Sequence, residues 1–169
     1  MILSGVMMLL QACIKADEYP EIPAITNISI DKSVIHQFAN MTTDAEGNIL
    51  DYDQESFVIT VDFQDGDGDL GVTDEQPEMN AFIIDNRTGF VDSLQIPYVS
   101  PQGNIKAISG TIDFTINSEC CLAISGISCT PNAEYNTADT LRYDVFIKDR
   151  AGNESNIVQA PPLIILCKQ

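Results

Sequence analysis

The chain lacks tryptophan, has one histidine, and carries only 8 basic residues against 25 acidic ones. The resulting net charge of −17 repels nucleic acids and anionic lipid surfaces, and it attracts cations. A single histidine excludes a metal cluster built on several imidazoles. Because aromatic residues make up only 7% of the chain, the exposed aromatic platforms that favour glycan binding are scarce.

The familiar catalytic motifs are also missing. The sequence has no Gly-x-Ser-x-Gly, no phosphate-binding glycine loop and no His-Glu-x-x-His. Paired carboxylates of the kind that glycosidases use are expected by chance among 25 acidic residues. With 169 residues, 44% of them hydrophobic, the chain is long enough for one domain with a real core. We therefore expect a single globular domain that is not an enzyme.

The N-terminus begins with an uncharged apolar run, Ile2 to Leu10, too short to span a bilayer but long enough for a signal-peptide core. The next residues, Leu10-Gln11-Ala12-Cys13, resemble the lipobox of bacterial lipoproteins. By that resemblance residues 1–12 are a signal peptide, and the lipidated Cys13 anchors the protein in a membrane. The alternatives are a secretory signal or a buried strand that contains a cysteine.

Residues 13–22 are polar and acidic, contain Pro20 and are followed by Pro23, so they are predicted to form an extended tether. An acidic segment directly after a lipidated cysteine resembles the surface-export signal of Bacteroidota lipoproteins. This resemblance implies that the domain lies outside the cell rather than in the periplasm.

From residue 23 onward, apolar and polar residues alternate over short segments separated by turn residues, as in β-strands. The predicted strands are Ala24–Ile30, Val34–Phe38, Ser56–Phe63, Ala81–Ile84, Phe90–Ile96, 108–117, 141–148 and Asn156–Leu166. Because Pro161 and Pro162 cannot donate to a ladder, the last strand is expected at an edge or a bulge. Residues 41–55 are acidic, contain a turn signal and are predicted to be a loop.

Seven or so short strands without helical periodicity predict an all-β fold, an immunoglobulin-like or fibronectin-III-like β-sandwich over residues 23–169. The segment 139–143 resembles the tyrosine-corner entry to strand F of such domains, and 148–155 resembles their final hairpin in bacterial modules. Together with the lipobox and the Asp65–Gly71 loop, these segments are similar to small immunoglobulin-like lipoproteins of Bacteroidota. The resemblance covers most of the chain and implies an outer-membrane lipoprotein exposed at the cell surface, with the periplasmic face as the alternative.

The loop Asp65-Gly66-Asp67-Gly68-Asp69-Leu70-Gly71 directly follows a predicted strand. Aspartates at every second position can turn their carboxylates toward one point, and the glycines let the backbone curl around it. Calcium takes about six to eight oxygen ligands and suits such a loop. The pattern departs from an EF-hand, because Leu70 stands where that motif has its glycine and Gln76 where it has its glutamate.

The other calcium ligands must therefore come from elsewhere. In a sandwich, the loops after strands B and F lie at the same end, which predicts Asp149 and the Asn153 side chain or a nearby carbonyl as further ligands. Asp74 and Glu75 are local alternatives. The competing interpretation of the whole loop is a solvated acidic turn without an ion.

Four cysteines besides Cys13 remain, and an even number in an exported protein predicts two disulfides. They are Cys120, Cys121, Cys129 and Cys167. Adjacent cysteines seldom pair with each other, and in the proposed topology all four lie at the end opposite the acidic loop. We expect one of Cys120 and Cys121 to pair with Cys129 and the other with Cys167. Zinc is the alternative, although the adjacent pair lacks the usual Cys-x2-Cys spacing.

Two functions remain in view. The first is a non-catalytic, calcium-stabilised lipoprotein that serves as an accessory or structural component of an outer-membrane assembly, with an outer-membrane protein as its partner. The second is a surface module for ligand binding or adhesion, for instance to glycans. The scarcity of aromatic residues favours the first.

Overall fold

The computed structural model describes residues 19–75, 77–100, 106–123, 126–127, 129 and 137–167. Within them the chain is all-β, as the sequence predicts. The strands are β1 (Ala24–Ile30), β2 (Val34–His36), β3 (Ala39–Thr43), β4 (Ile49–Asp53), β5 (Phe57–Asp65), β6 (Ala81–Asp85), β7 (Val91–Leu94), β8 (Ile108–Ile116), β9 (Leu122–Ala123), β10 (Gly126–Ile127), β11 (Ala138–Leu141), β12 (Tyr143–Ile147), β13 (Val158–Gln159) and β14 (Leu163–Leu166).

Two main sheets form a sandwich-like arrangement. The first has the order β1-β5-β8, and the second has the order β13-β12-β6-β7. A third group, β11-β14-β2, includes a parallel pairing of β2 with β14. Strands β11 and β12 are separated only by Arg142, so this group continues the second sheet along the chain. The two sheets thus hold β1, β5 and β8 on one side and β6, β7, β12 and β13 on the other, which is the layered arrangement of a β-sandwich.

The core lies between the sheets and is built by alternation along the strands. Every second residue of β5 is buried, from Phe57 through Ile59 and Val61 to Phe63, each at most 3% exposed. They pack in one cluster with the inward residues of β6, β12 and β14. Burying one such side chain stabilises a fold by about 1.5–3 kcal/mol, so the strict alternation of β5 fixes which face of the strand points inward.

Two strand predictions need correction. Residues 41–55 are not a plain loop, because β3 and β4 pair there as an antiparallel hairpin. Its acidic side chains point outward, and Tyr52 contacts the Phe38 ring edge-on with centroids 5.0 Å apart. The predicted strand 156–166 is interrupted at the prolines: β13 pairs with β12, whereas β14 pairs with β11. The break follows from the missing amide protons of Pro161 and Pro162, as expected for a bulge.

Both predicted disulfides are formed, and the structure decides their pairing. Cys120 bonds to Cys129, with Cα atoms 5.1 Å apart, and Cys121 bonds to Cys167, with Cα atoms 5.9 Å apart. Cys121 and Cys167 are buried in the core, so their bridge ties the end of β14 to the segment that follows β8.

The predictions for the N-terminus fall on residues that the structure does not describe. The signal peptide at 1–12, the lipidated Cys13 and most of the tether lie outside the described residues. Across the described ranges, no helix has both the length and the apolar character that a bilayer crossing requires. His36 is an exposed residue of β2 beside Glu55, as expected for a surface histidine.

Candidate metal centre

The acidic loop begins at the end of β5, where Asp65 is the last strand residue and is 0% exposed. Gly68 and Gly71 have φ angles of 72° and 94°, a region that glycine adopts at little cost. With these turns the chain brings Asp65, Asp67 and Asp69 together. One carboxylate oxygen from each lies within 4.8 Å of the others, a spacing that suits a shared metal ion.

The carboxylate oxygens of this cluster are incompletely satisfied. Asp65 Oδ2 accepts a hydrogen bond from the Leu70 amide at 3.0 Å, and Asp69 Oδ2 accepts one from the Ala151 amide at 3.1 Å. The Oδ1 atom of all three aspartates is buried and has no hydrogen-bond donor among the described residues. Burying polar oxygens without partners is unfavourable, and a divalent cation would satisfy all three at once.

The protonation behaviour of the cluster reflects the same crowding. Burial, followed by the neighbouring Asp67 carboxyl, raises the pKa of Asp65 to about 6. Burial, then Asp149 and Asp67, also raises the pKa of Asp69. Both shifts follow from crowding carboxylates in a partly buried loop, an arrangement that a bound cation would stabilise.

The turn at residues 149–153 packs against this loop, as the sandwich topology predicts. The Arg150 amide donates to the Asp69 carbonyl at 3.3 Å, and the Arg150 guanidinium donates to the Gly71 carbonyl at 2.8 Å. The guanidinium also lies over the Tyr98 ring, 5.4 Å from its centroid. These contacts hold the loops after β5 and β12 together at one end of the sandwich.

Asp149 itself is occupied by its own turn. Its Oδ1 accepts from the Asn153 amide at 2.7 Å, and its Oδ2 accepts from the Asn153 side chain at 2.8 Å. The sequence Asp-x-x-Gly-Asn recurs at residues 44–48, where Asp44 accepts the same two bonds from Asn48 at 2.7 and 2.8 Å. Because both turns have the same two bonds, the hydrogen bonds between Asp149 and Asn153 are explained by stabilisation of the turn. The role of these two residues as metal ligands stays a prediction. Asp74 and Glu75 are exposed and do not belong to the three-aspartate cluster.

The chain that enters the domain also contacts the acidic loop. The Gly66 amide donates to the Pro20 carbonyl at 2.7 Å. A Cβ atom on Gly66 would lie 2.8 Å from that same oxygen and still closer to the Tyr19 carbonyl oxygen. The last residues of the predicted tether are thus packed on the loop, and only a glycine fits between them.

We expect Gly66→Ala to lower the free energy of unfolding by about 1–3 kcal/mol, because the added methyl group meets backbone atoms that cannot move aside easily. Urea denaturation measures the change. Gly110→Ala is the matched control, since its Cβ would meet only the Phe63 ring, at 3.3 Å. Equal losses in the two variants would show that the segment at Tyr19–Pro20 does not pack on the loop in solution.

A second charged cluster lies at the opposite end, and sequence reasoning missed it. The Arg87 side chain is 5% exposed and bonds to Asp85 at 2.7 Å, Glu119 at 2.6 Å and Asp139 at 2.7 Å. Although burial alone would lower the pKa of Arg87, its bonds to Asp85 and Asp139 raise it above the usual range. The sequence signal was an arginine in the Asn86–Gly89 turn of a chain poor in basic residues, but two of its partners lie 32 and 52 positions away.

The predicted tyrosine corner joins this second cluster. Tyr143 is buried in β12, and its hydroxyl donates to Glu119 Oε2 at 2.7 Å. Burial, then the Glu119 carboxylate, raises the pKa of Tyr143. Burial also raises the pKa of Glu119. The hydroxyl therefore anchors a carboxylate of the Arg87 cluster, in place of the backbone carbonyl typical of that corner.

Comparisons with known proteins add no relative: no protein-family model, no curated protein and no solved structure matches this chain. The functional argument therefore depends on the geometry of the chain itself.

Proposed function

We propose that the protein is a non-catalytic, calcium-stabilised lipoprotein of the cell envelope that serves as an accessory or structural component of an outer-membrane assembly. The observation that supports the metal is the set of three buried Oδ1 atoms without donors in Asp65, Asp67 and Asp69. Calcium is favoured over magnesium because it accepts irregular sites of six to eight oxygens, whereas magnesium demands a near-ideal octahedron. Backbone carbonyls, water and the Asp149–Asn153 turn are the candidate sources of the remaining ligands.

The placement of the N-terminal segment supports a structural role at the membrane. Tyr19 and Pro20 contact the acidic loop, so the chain enters the domain at the end of the sandwich that carries the three aspartates, which we call the metal end. Tyr19 follows Cys13 by six positions, and a fully extended chain of six residues spans about 20 Å. If Cys13 carries the lipid, the metal end faces the membrane, and the disulfide end points outward, toward any partner. A rigid membrane-proximal end is a reasonable requirement for a surface component.

Calcium is expected to raise the melting temperature of the protein. At free calcium near 100 times Kd, binding to the folded state contributes about 2.7 kcal/mol, which corresponds to about 5–10 °C for a domain of this size. We expect Asp67→Ala to remove the shift, because it takes away one of the three converging carboxylates. Differential scanning calorimetry with calcium and with chelator provides the measurement.

Asp74→Ala is the matched control for charge, since it removes an exposed carboxylate that follows the same loop. That variant should keep the full calcium response. A wild-type melting temperature that is the same in calcium and in chelator would disprove the metal site. If both variants lose the calcium-induced rise in melting temperature, Asp74 is also needed for calcium binding and the ligand set differs from the one proposed.

The envelope role is tested separately, by crosslinking on intact cells followed by detergent pull-down. A stable outer-membrane protein captured with the domain supports the accessory role.

The second candidate function is a surface ligand-binding module. It is favoured by Phe90, which is 68% exposed beside a cleft of about 530 Å³. A protein recovered without partners but retained on a polysaccharide column would favour that candidate.

A further inference from the structure

The open side of the sandwich contains a cleft that the metal site does not explain. Strands β7 and β8 each end their sheet, and the cleft lies between them with a volume of about 530 Å³. Ligand sites for small molecules span about 300–1,000 Å³. Its floor is formed by the core side chains Ile83 and Tyr143. The cleft is therefore large enough for a small organic molecule and opens onto the hydrophobic core.

The walls of the cleft are mainly apolar. Ile116 lines one side, and the exposed Phe90 and Ile127 line the rim. Phe90 is 68% exposed and Ile127 41% exposed, so both hold apolar surface in water beside a concave site. Covering such surface is favourable at about 25 cal/mol per Å². These walls therefore favour a ligand with an apolar body.

The charge around the cleft is one-sided. Asp85, Asp92 and Glu119 line it, and none of the described lining residues is lysine, arginine or histidine. Behind the floor, the single guanidinium of Arg87 serves three carboxylates, those of Asp85, Glu119 and Asp139. By formal charge, three carboxylates against one guanidinium leave two negative charges unpaired, and Asp92 adds another carboxylate at the exposed mouth. A cation would balance this excess, and the net charge of −17 would steer cations toward the protein.

We infer that the cleft binds a small organic cation, a protonated amine carried on an aryl or alkyl body. The body packs between Ile116, Phe90 and Ile127, and the ammonium faces Asp92 and Glu119. Each carboxylate oxygen of Glu119 already accepts one bond, from Arg87 at 2.6 Å and from Tyr143 at 2.7 Å, and each can accept a second. The exposed face of Phe90 adds an attraction between the cation and the aromatic ring.

Benzylamine is the test probe, with benzyl alcohol as its neutral match and benzoate as its anionic match. Titrations followed by heteronuclear NMR give both affinity and location. We expect saturable binding of benzylamine with shifts at Phe90, Asp92 and Ile116, binding of benzyl alcohol about tenfold weaker, and no binding of benzoate. Equal affinity for the amine and the alcohol, or no binding of the amine, would overturn the proposal.

Variants distinguish the contribution of the carboxylates from that of the apolar surface. Asp92→Asn should weaken benzylamine severalfold and leave benzyl alcohol unchanged, whereas Phe90→Ala should weaken both. Leu50→Ala, which removes another exposed apolar side chain in β4, should change neither. Asp67→Ala should also leave benzylamine binding unchanged. If it abolishes binding, the amine is held by the acidic loop instead and the cleft proposal is wrong.

Discussion

Replacing Arg87 by methionine is expected to lower the free energy of unfolding by about 3–5 kcal/mol, equivalent to a fall in melting temperature of about 10 °C. The side chain is 5% exposed and joins Asp85, Glu119 and Asp139. Methionine has a similar length but no charge, so the three carboxylates would stay together without a cation. The loss comes mainly from stranding buried charge, because the packing volume is nearly kept.

The pH dependence of this loss distinguishes charge from packing. In the variant the stranded carboxylates take up protons more readily when folded than when unfolded, so its free energy of unfolding rises as pH falls. The gap between variant and wild type should therefore narrow between pH 7 and pH 4, as urea denaturation at each pH measures. Arg142→Met is the control, since Arg142 is only half-buried and its guanidinium makes one long bond of 3.4 Å to the Ala160 carbonyl. A loss that does not change with pH would assign the role of Arg87 to packing.

The second large effect concerns Asp65, whose charge is expected to destabilise the calcium-free protein and to stabilise the calcium-bound protein. Burial, followed by Asp67, raises the pKa of Asp65 to about 6 from its ordinary 3.8, and Asp69 adds to the shift. A folded-state pKa above the unfolded value means that the calcium-free protein loses stability as pH rises from about 4 to about 6 and stays at the lower level above that. Asp65→Asn removes this charge and keeps an acceptor for the Leu70 amide. We therefore expect the variant to exceed wild type by about 1–3 kcal/mol at pH 8 in chelator.

Calcium should reverse that order. Wild type gains the binding free energy, whereas the variant has lost one of the three carboxylates and gains little. Melting curves of both proteins at pH 8, in chelator and in calcium, show whether the ranking changes. Asp113→Asn in β8 is the control, because it alters the net charge equally at an exposed site and should leave the ranking unchanged.

Protons compete with calcium for Asp65, so the calcium-induced rise in the melting temperature of wild type should become smaller below about pH 6. If the variant melts below wild type in both buffers, the buried charge is not the source of the instability.

Much of the candidate site was predictable because it is local in sequence. Three aspartates at alternate positions after a strongly alternating strand indicate a cation-binding turn without any knowledge of the fold. The meeting of that loop with the 149–153 turn needed one more step, the strand order of a sandwich. The structure confirms this meeting through the bonds of Arg150 and Ala151 to Asp69.

The predictions that failed or stayed open depended on more distant relations. Residues 41–55 were predicted as a loop because acidic side chains dominate them, yet a hairpin forms where one face rests on Phe38. Which of Cys120 and Cys121 reaches Cys167 depends on which side chain points into the core, and that is decided by packing around β14. The bonds between Asp149 and Asn153 have a local explanation in the sequence itself, because the same Asp-x-x-Gly-Asn pattern forms the same turn at residues 44–48.

The all-β class, most of the strands, the acidic loop and the number of disulfides can be predicted from the sequence, because periodicity, turn residues and residue spacing act over a few neighbouring positions. The tertiary structure was needed to show that Glu119 and Asp139 join Arg87, that the Tyr143 hydroxyl donates to Glu119, and that the Pro20 carbonyl accepts from the Gly66 amide. These contacts join residues separated by tens of positions. No local pattern encodes them, because their partners are selected by which strand ends the two sheets bring together.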